Sequence, residues 1–113
     1  MNAEKSEKKY ILAIDHGTSA MKVALSDQCG DILAFEYEDT PLYLFPDGGA
    51  EQDPDEWWNA LIKATQRLLG RRLVSIDDID AICVSSQWSG TVAVDSNGDH
   101  LMNAIIWMDS RGE

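Results

Sequence analysis

The sequence predicts an α/β domain: a mixed sheet laid down in the order β-β-β-α-β and followed by a β-hairpin. Three observations predict it. Residues 10–38 hold three short apolar runs separated by turn signals, the pattern of an antiparallel meander. Residues 53–70 hold one strongly punctuated helix. Residues 79–85 return to apolar strand character, so the helix acts as a crossover back onto the same sheet.

Taken in order, residues 1–9, "MNAEKSEKK", are polar and lead into no apolar core of signal-peptide type, so they are expected to form a disordered tail ahead of a domain at 10–113. Residues 10–15 are apolar on both faces and read as a buried strand. In residues 20–27, Met21, Val23 and Leu25 fall on one face and Lys22 and Ser26 on the other. "DQCGD" marks a turn, and residues 31–38 form the third strand, with Ile32, Ala34 and Glu36 opposite Leu33, Phe35 and Tyr37. "PLYLFPDGGAEQ" reads as loop. Asp53 is placed as an N-cap, Pro54 suits the first helical position, and Glu56 completes a capping box. Trp57, Trp58, Leu61, Ile62, Leu68 and Leu69 supply the apolar stripe, the two tryptophans as core or inter-domain packing, and Gly70 the stop. Residues 79–85, "IDAICVS", read as a second buried strand. "TVAVDSNGDHLMNAIIW" reads as a hairpin turning at Asn97-Gly98. "DSNGD" is not a calcium loop, because its glycine comes too early and Ile106 stands where the closing glutamate belongs.

Composition limits function. With 113 residues, 44% hydrophobic and 26% charged, the chain suits one globular domain and no membrane span. Asp and Glu outnumber Lys and Arg by 20 to 9, a net charge of −11, which argues against nucleic-acid and anionic-membrane partners. A nucleotide is compatible with that charge, since backbone amides and a metal can hold its phosphates. Cys29 and Cys83 lack zinc spacing and read as reduced thiols of a cytoplasmic protein.

The chemistry concentrates in "YILAIDHGTSAMKVALSDQCG", residues 10–30. A carboxylate at the end of a buried strand, Asp15, is costly unless a cation compensates it. Gly17 lets a ligand approach the backbone, and Thr18 and Ser19 add hydroxyls and amides that suit a phosphate oxygen. Lys22 leaves the loop toward the same region. Asp15 is the candidate ligand for Mg²⁺, held through water. Because the glycine lies between two strands, neither a Rossmann fingerprint nor a P-loop fits, both of which require a helix behind it.

These residues do not stand alone. "AIDHGTSAMKVALSDQCGDIL", "GGAEQDPDEWWNAL" and "AICVSSQWSGTVAVDSNGDHLMNAIIWMDSR" occur in the order found in the FGGY carbohydrate kinases, and the chain resembles their N-terminal segment. The resemblance implies a ribonuclease H-like, actin-like ATPase fold, present as a partial domain. It implies transfer of the γ-phosphoryl group of ATP, with Mg²⁺, to a sugar or polyol hydroxyl. Asp15, Gly17, Thr18, Ser19 and Lys22 match the first phosphate loop. Gln87, Trp88 and Ser89 match a loop that touches the sugar, Trp107 an aromatic wall of the sugar pocket, and Asp109 and Arg111 a W-x-D-x-R block. In that block the carboxylate would accept hydroxyl protons and the arginine would organise it. Trp88-Ser89 departs from both the Gln-Met-His-Gly of xylulose kinases and the Arg-Glu pair of glycerol kinases.

The resemblance also implies that the catalytic base and the ATP-holding domain lie beyond residue 113. The remainder of the kinase chain is then the main partner, this segment is inactive alone, and its uncovered apolar surface favours a homo-dimer. Two alternatives carry less of the pattern. One is a non-catalytic actin-like or sugar-binding module. The other is a metal-dependent nuclease of ribonuclease H-like fold, using Asp15 with Glu36 and Asp80.

Overall fold

The computed structural model describes residues 7–113, so residues 1–6 of the expected tail lie outside the described residues. Strands β1 (Tyr10–His16), β2 (Ala20–Asp27) and β3 (Ile32–Asp39) form the expected meander. The segment expected as loop instead holds two short strands, β4 (Tyr43–Leu44) and β5 (Ala50–Gln52), paired antiparallel. Helix α1 (Pro54–Gly70) follows, then a single 3₁₀ turn at Ile76–Asp78 and strand β6 (Ile79–Ser86). β6 lies parallel to β1, giving the order β3-β2-β1-β6 and confirming the crossover. A last strand, β7 (Ala104–Ile105), adds to β5. Among the described residues no helix is long and apolar enough to cross a membrane.

The alternation of β1 and β2 decides which side chains meet α1. Leu12, Val23 and Leu25 point to the helix face and close a small core with Ala64 and Leu68. Tyr10, Ile14, Ala34, Leu61, Val74 and Ile79 pack around it, half-buried. At the margin, Arg67 pairs with Glu38 (2.7 Å), and both Arg67 and Arg71 pair with Glu36, fastening the helix to β3.

Several local expectations are corrected. The buried helix face is Ala60, Ala64 and Leu68, while Trp58 is exposed and Trp57 sits edge-on against His16 with ring centroids 4.4 Å apart. Small side chains mark the line of closest approach to the sheet, so the bulky stripe lies to either side of it. Asp53 caps the helix as expected, its side chain accepting from the Asp55 amide. Glu56 does not close a capping box; its Oε1 accepts from the Tyr43 hydroxyl at 2.7 Å. The helix runs through Gly70, and the left-handed residue that turns the chain away is Arg72 (φ 53). β6 is not buried. It is an edge strand that α1 does not cover, and Ile82, Val84 and Cys83 are exposed.

The turn of the expected hairpin forms where the sequence places it. Gly98 has φ 85, and Asp95 Oδ1 accepts from the amides of Asn97 and Asp99. Its arms meet only at isolated bridges, Val94 with His100 and Thr91 with Ile105. Ile105 also lies opposite Glu51 of β5, so the second arm serves the small sheet β4-β5-β7.

Candidate active site

The first site element is the β1–β2 turn. The Gly17 amide donates to the Ala20 carbonyl at 3.1 Å, closing the turn over Thr18 and Ser19. A Cβ on Gly17 would lie 2.7 Å from Lys22 Nζ and 2.9 Å from the Ala20 carbonyl oxygen, so this close approach requires glycine. Cross-strand register sets Asp15 between Lys22 on β2 and Ser85 on β6. Its carboxylate is exposed and accepts from Lys22 Nζ at 3.3 Å. Asp15 and Lys22 line a groove of about 610 Å³ on the sheet face away from α1, floored by Ala13, Ala24, Phe35 and Tyr37 and bordered by Asp39. The carboxylate is therefore reachable from solvent, not tied off by neighbouring amides. A single exposed carboxylate with an exposed cation partner fits magnesium, which keeps most of its waters and takes only one or two protein oxygens.

The second element is a hydrogen-bond chain behind that turn. Trp107 Nε1 donates to Thr18 Oγ1 at 2.8 Å, and Thr18 Oγ1 donates to Gln87 Oε1 at 3.2 Å. Gln87 Nε2 donates to Gln52 Oε1 at 2.9 Å. The hydroxyl of Thr18, expected to face phosphate, is thus engaged on both sides, whereas Ser19 is exposed. The chain brings Thr18, Gln87 and Trp107 together from three distant parts of the sequence. The Gln87 amide further donates to the His16 carbonyl at 2.8 Å, extending the β1–β6 pairing by one residue. Beyond it Trp88 stands exposed, and Ser89 adopts the left-handed conformation (φ 59). A non-glycine residue there is uncommon and clusters at ligand-binding turns. His16 is half-buried, and burial lowers its imidazole from the usual range against a smaller opposing pull from Asp15.

The third element is the Asp109–Arg111 pair. Asp109 Oδ2 accepts from the Ala50 amide (2.8 Å) and from Arg111 Nε (3.0 Å), while Oδ1 accepts from the Arg111 amide (3.0 Å). Arg111 and then Ala50 hold this carboxyl down at about 2. Oδ2 is filled by the Ala50 amide and the Arg111 guanidinium, whereas Oδ1 keeps one acceptor position for a hydroxyl. Arg111 also bridges to Glu51 at 2.8 Å. The pair fastens residues 109–111 onto the Gly48-Gly49 turn, where a Cβ on Gly48 (φ 90) would collide with Ser110 Oγ.

The acidic residues named for the nuclease alternative stand apart from one another. Glu36 lies in register with Val23, on the helix face, bound by Arg67 and Arg71, and Asp80 pairs with Lys9 at 3.1 Å. Neither joins Asp15.

A family model described as the N-terminal domain of the FGGY family of carbohydrate kinases matches residues 10–113. The chain belongs to this family. Among curated relatives, a xylulose kinase of Staphylococcus epidermidis is 39% identical over 104 residues, covering 92% of this chain and 21% of that protein. A glycerol kinase of Polaromonas is 32% identical over 105 residues, again 21% of its length. The chain thus spans about a fifth of the length of the curated relatives it matches. Among solved structures, the gluconate kinase from Lactobacillus acidophilus superimposes with a TM-score of 0.80 at 32% identity, covering 90% of this chain and 20% of that one. The ligand-bound xylulose kinase from the same organism gives 0.80 at 33% identity, covering 89% and 20%. The mixed sheet with its crossover helix is therefore the FGGY, actin-like ATPase architecture.

The residues that sequence reasoning missed are Gln52 and Thr40. Thr40 Oγ1 donates to the Thr18 carbonyl at 2.9 Å. Both sit in or beside a segment read as loop, where no periodicity marks a buried polar residue.

Proposed function

We propose that this chain forms the N-terminal part of an ATP-dependent carbohydrate kinase that moves the γ-phosphoryl group of ATP to a hydroxyl of a sugar or polyol. The observation that carries the reading is the exposed Asp15 carboxylate at the end of a sheet strand, lining an open groove and partnered by Lys22 at 3.3 Å. Asp15 would hold Mg²⁺ through water, and the ion, when bound, neutralises charge on the phosphates. Lys22 exchanges its weak surface pairing with Asp15 for a phosphate oxygen. Gly17 lets that oxygen reach the backbone of the turn, and Ser19 offers a hydroxyl. Gln87, Trp88, Ser89 and Trp107 form the sugar side: indole faces pack against the apolar face of the ring, and Gln87 bonds a hydroxyl. Asp109 and Arg111 shape this wall from behind. The proton acceptor and the adenosine-holding domain come from the rest of the kinase chain.

The test is an ATP-Mg²⁺ phosphorylation assay of the full-length kinase against a panel of pentoses, ketoses, aldonates and polyols. Asp15→Asn should lower kcat about a hundredfold or more while leaving the fold intact. The 113-residue segment alone should show no turnover. Undiminished turnover in Asp15→Asn would reject the reading.

A further inference from the structure

Gln52 is fully buried, yet no role in phosphate or sugar contact explains it. All four of its side-chain valences are filled. Nε2 donates to the carbonyls of Thr18 (2.7 Å) and Pro41 (3.1 Å), and Oε1 accepts from Trp57 Nε1 (3.0 Å) and Gln87 Nε2 (2.9 Å). The orientation of this amide is not free to reverse. An indole N–H only donates and a carbonyl only accepts, so Oε1 must face Trp57 and Nε2 must face Thr18 and Pro41.

That fixed orientation propagates. Gln87 must present Nε2 to Gln52, which turns its Oε1 toward Thr18 and obliges Thr18 to donate its hydroxyl proton. Trp107, which only donates, closes the far end on Thr18 Oγ1. The hydrogen-bond chain therefore has a single polarity, pinned at both ends by indoles. Gln87 retains one N–H and one lone pair, the donor and acceptor that a sugar hydroxyl satisfies. The turn at 17–19 has further ties through Thr40, whose hydroxyl holds the Thr18 carbonyl (2.9 Å) and whose amide holds the Ser19 carbonyl (3.0 Å). Among the described residues, the Gln87 side chain bonds only Gln52 and Thr18.

We infer that Gln52 is a positioning residue for the sugar side of the site: it fixes the place and polarity of the Gln87 amide from beneath. The inference rests on the proposed kinase function. Gln52 touches neither nucleotide nor sugar and acts through Gln87.

The test uses the full-length kinase. Gln52→Met, close in size but without hydrogen bonds, should raise the KM for the sugar or polyol about tenfold and leave the KM for ATP within about threefold. Combined with Gln87→Ala it should add nothing further, whereas a merely structural role would multiply the two losses. Gln52→Glu, the second variant if Met fails to fold, turns an oxygen onto the Thr18 and Pro41 carbonyls. Its sugar KM should fall back toward wild type as pH is lowered, because a protonated carboxyl restores a donor. An unchanged sugar KM, multiplicative losses, or a pH-independent Glu variant would overturn the inference. If the intact kinase phosphorylates no sugar or polyol, the functional reading falls separately. Gln52 is then judged in the same protein by hydrogen exchange of the Gln87 side-chain amide: faster exchange in Gln52→Met sustains the positioning role, and equal rates reject it.

Discussion

Replacing Leu68 by alanine should separate the helix face that holds the domain together from the one that merely looks apolar. Leu68 is 1% exposed and meets Leu12, Val23 and Leu25 across the helix–sheet contact. Its neighbour one turn back, Ala64, has no length to extend into the space vacated. The cavity therefore stays open, and the loss should fall inside the usual Leu→Ala range, about 3 kcal/mol. For a domain of this size that lowers Tm by about 12–15 °C. Trp58, 62% exposed on the same helix, should cost no more than about 0.5 kcal/mol as Trp58→Ala. Equilibrium urea unfolding measures both, with the slope of free energy against denaturant unchanged. Had the bulky stripe been the core, Trp58→Ala would cost about 3–5 kcal/mol. Equal losses at the two positions, or a larger one at Trp58, would refute the packing argument.

Gly17→Ala places a methyl 2.9 Å from the Ala20 carbonyl oxygen, which cannot retreat without opening the hairpin. Nucleotide affinity, read by titration calorimetry on the full-length kinase, should fall by more than tenfold while helix content by circular dichroism stays constant. The two histidines should give opposite pH slopes. Asp55 raises His100, so the stability it contributes is complete below about 6.5 and is lost as pH rises through its folded value. Burial lowers His16, so its contribution is present above about 6.5 and fades as pH falls. Urea midpoints from pH 5 to 8 should therefore rise more steeply with pH in His100→Gln than in the parent. Asp109 sits at about 2, so its contribution is present above about 3.9 and is lost as pH falls toward 2. Hydrogen exchange of the Ala50 amide, the partner of Asp109, should respond over that window and lose the response in Asp109→Asn.

Elements governed by local chemistry were legible in advance. Met21, Val23 and Leu25 alternate inward as a two-residue period requires, Asp53 caps where a short acceptor precedes Pro54, and Gly98 turns where Asn97-Gly98 announces it. Elements governed by distant partners were not. β4 and β5 are short strands among prolines and glycines, and only pairing with β7 defines the sheet they share. β6 reads as buried from its Ile and Val content, but burial depends on how far α1 reaches across the sheet, which sequence does not state. For the site, the turn at Asp15 to Ser19 was visible because its residue types are unusual after a strand. Gln52 was invisible, since a buried glutamine is recognisable only from the four groups that converge on it. Asp109 and Arg111 were visible as a pair, but the Ala50 amide that bonds the carboxylate lies 59 positions away.

The bare flank of β6 bears on handling this polypeptide. β3, the opposite margin, carries Glu36 and Glu38 clasped by arginines, a guarded border. Among the described residues β6 has no such guard beyond Asp80, and Ile82 and Val84 are 63% and 66% exposed. Its unpaired backbone amides and carbonyls can recruit a foreign strand, so concentrated stocks of the isolated segment are prone to ribbon-like aggregation. A lysine at either position would make a soluble reagent for spectroscopy without touching the groove at Asp15.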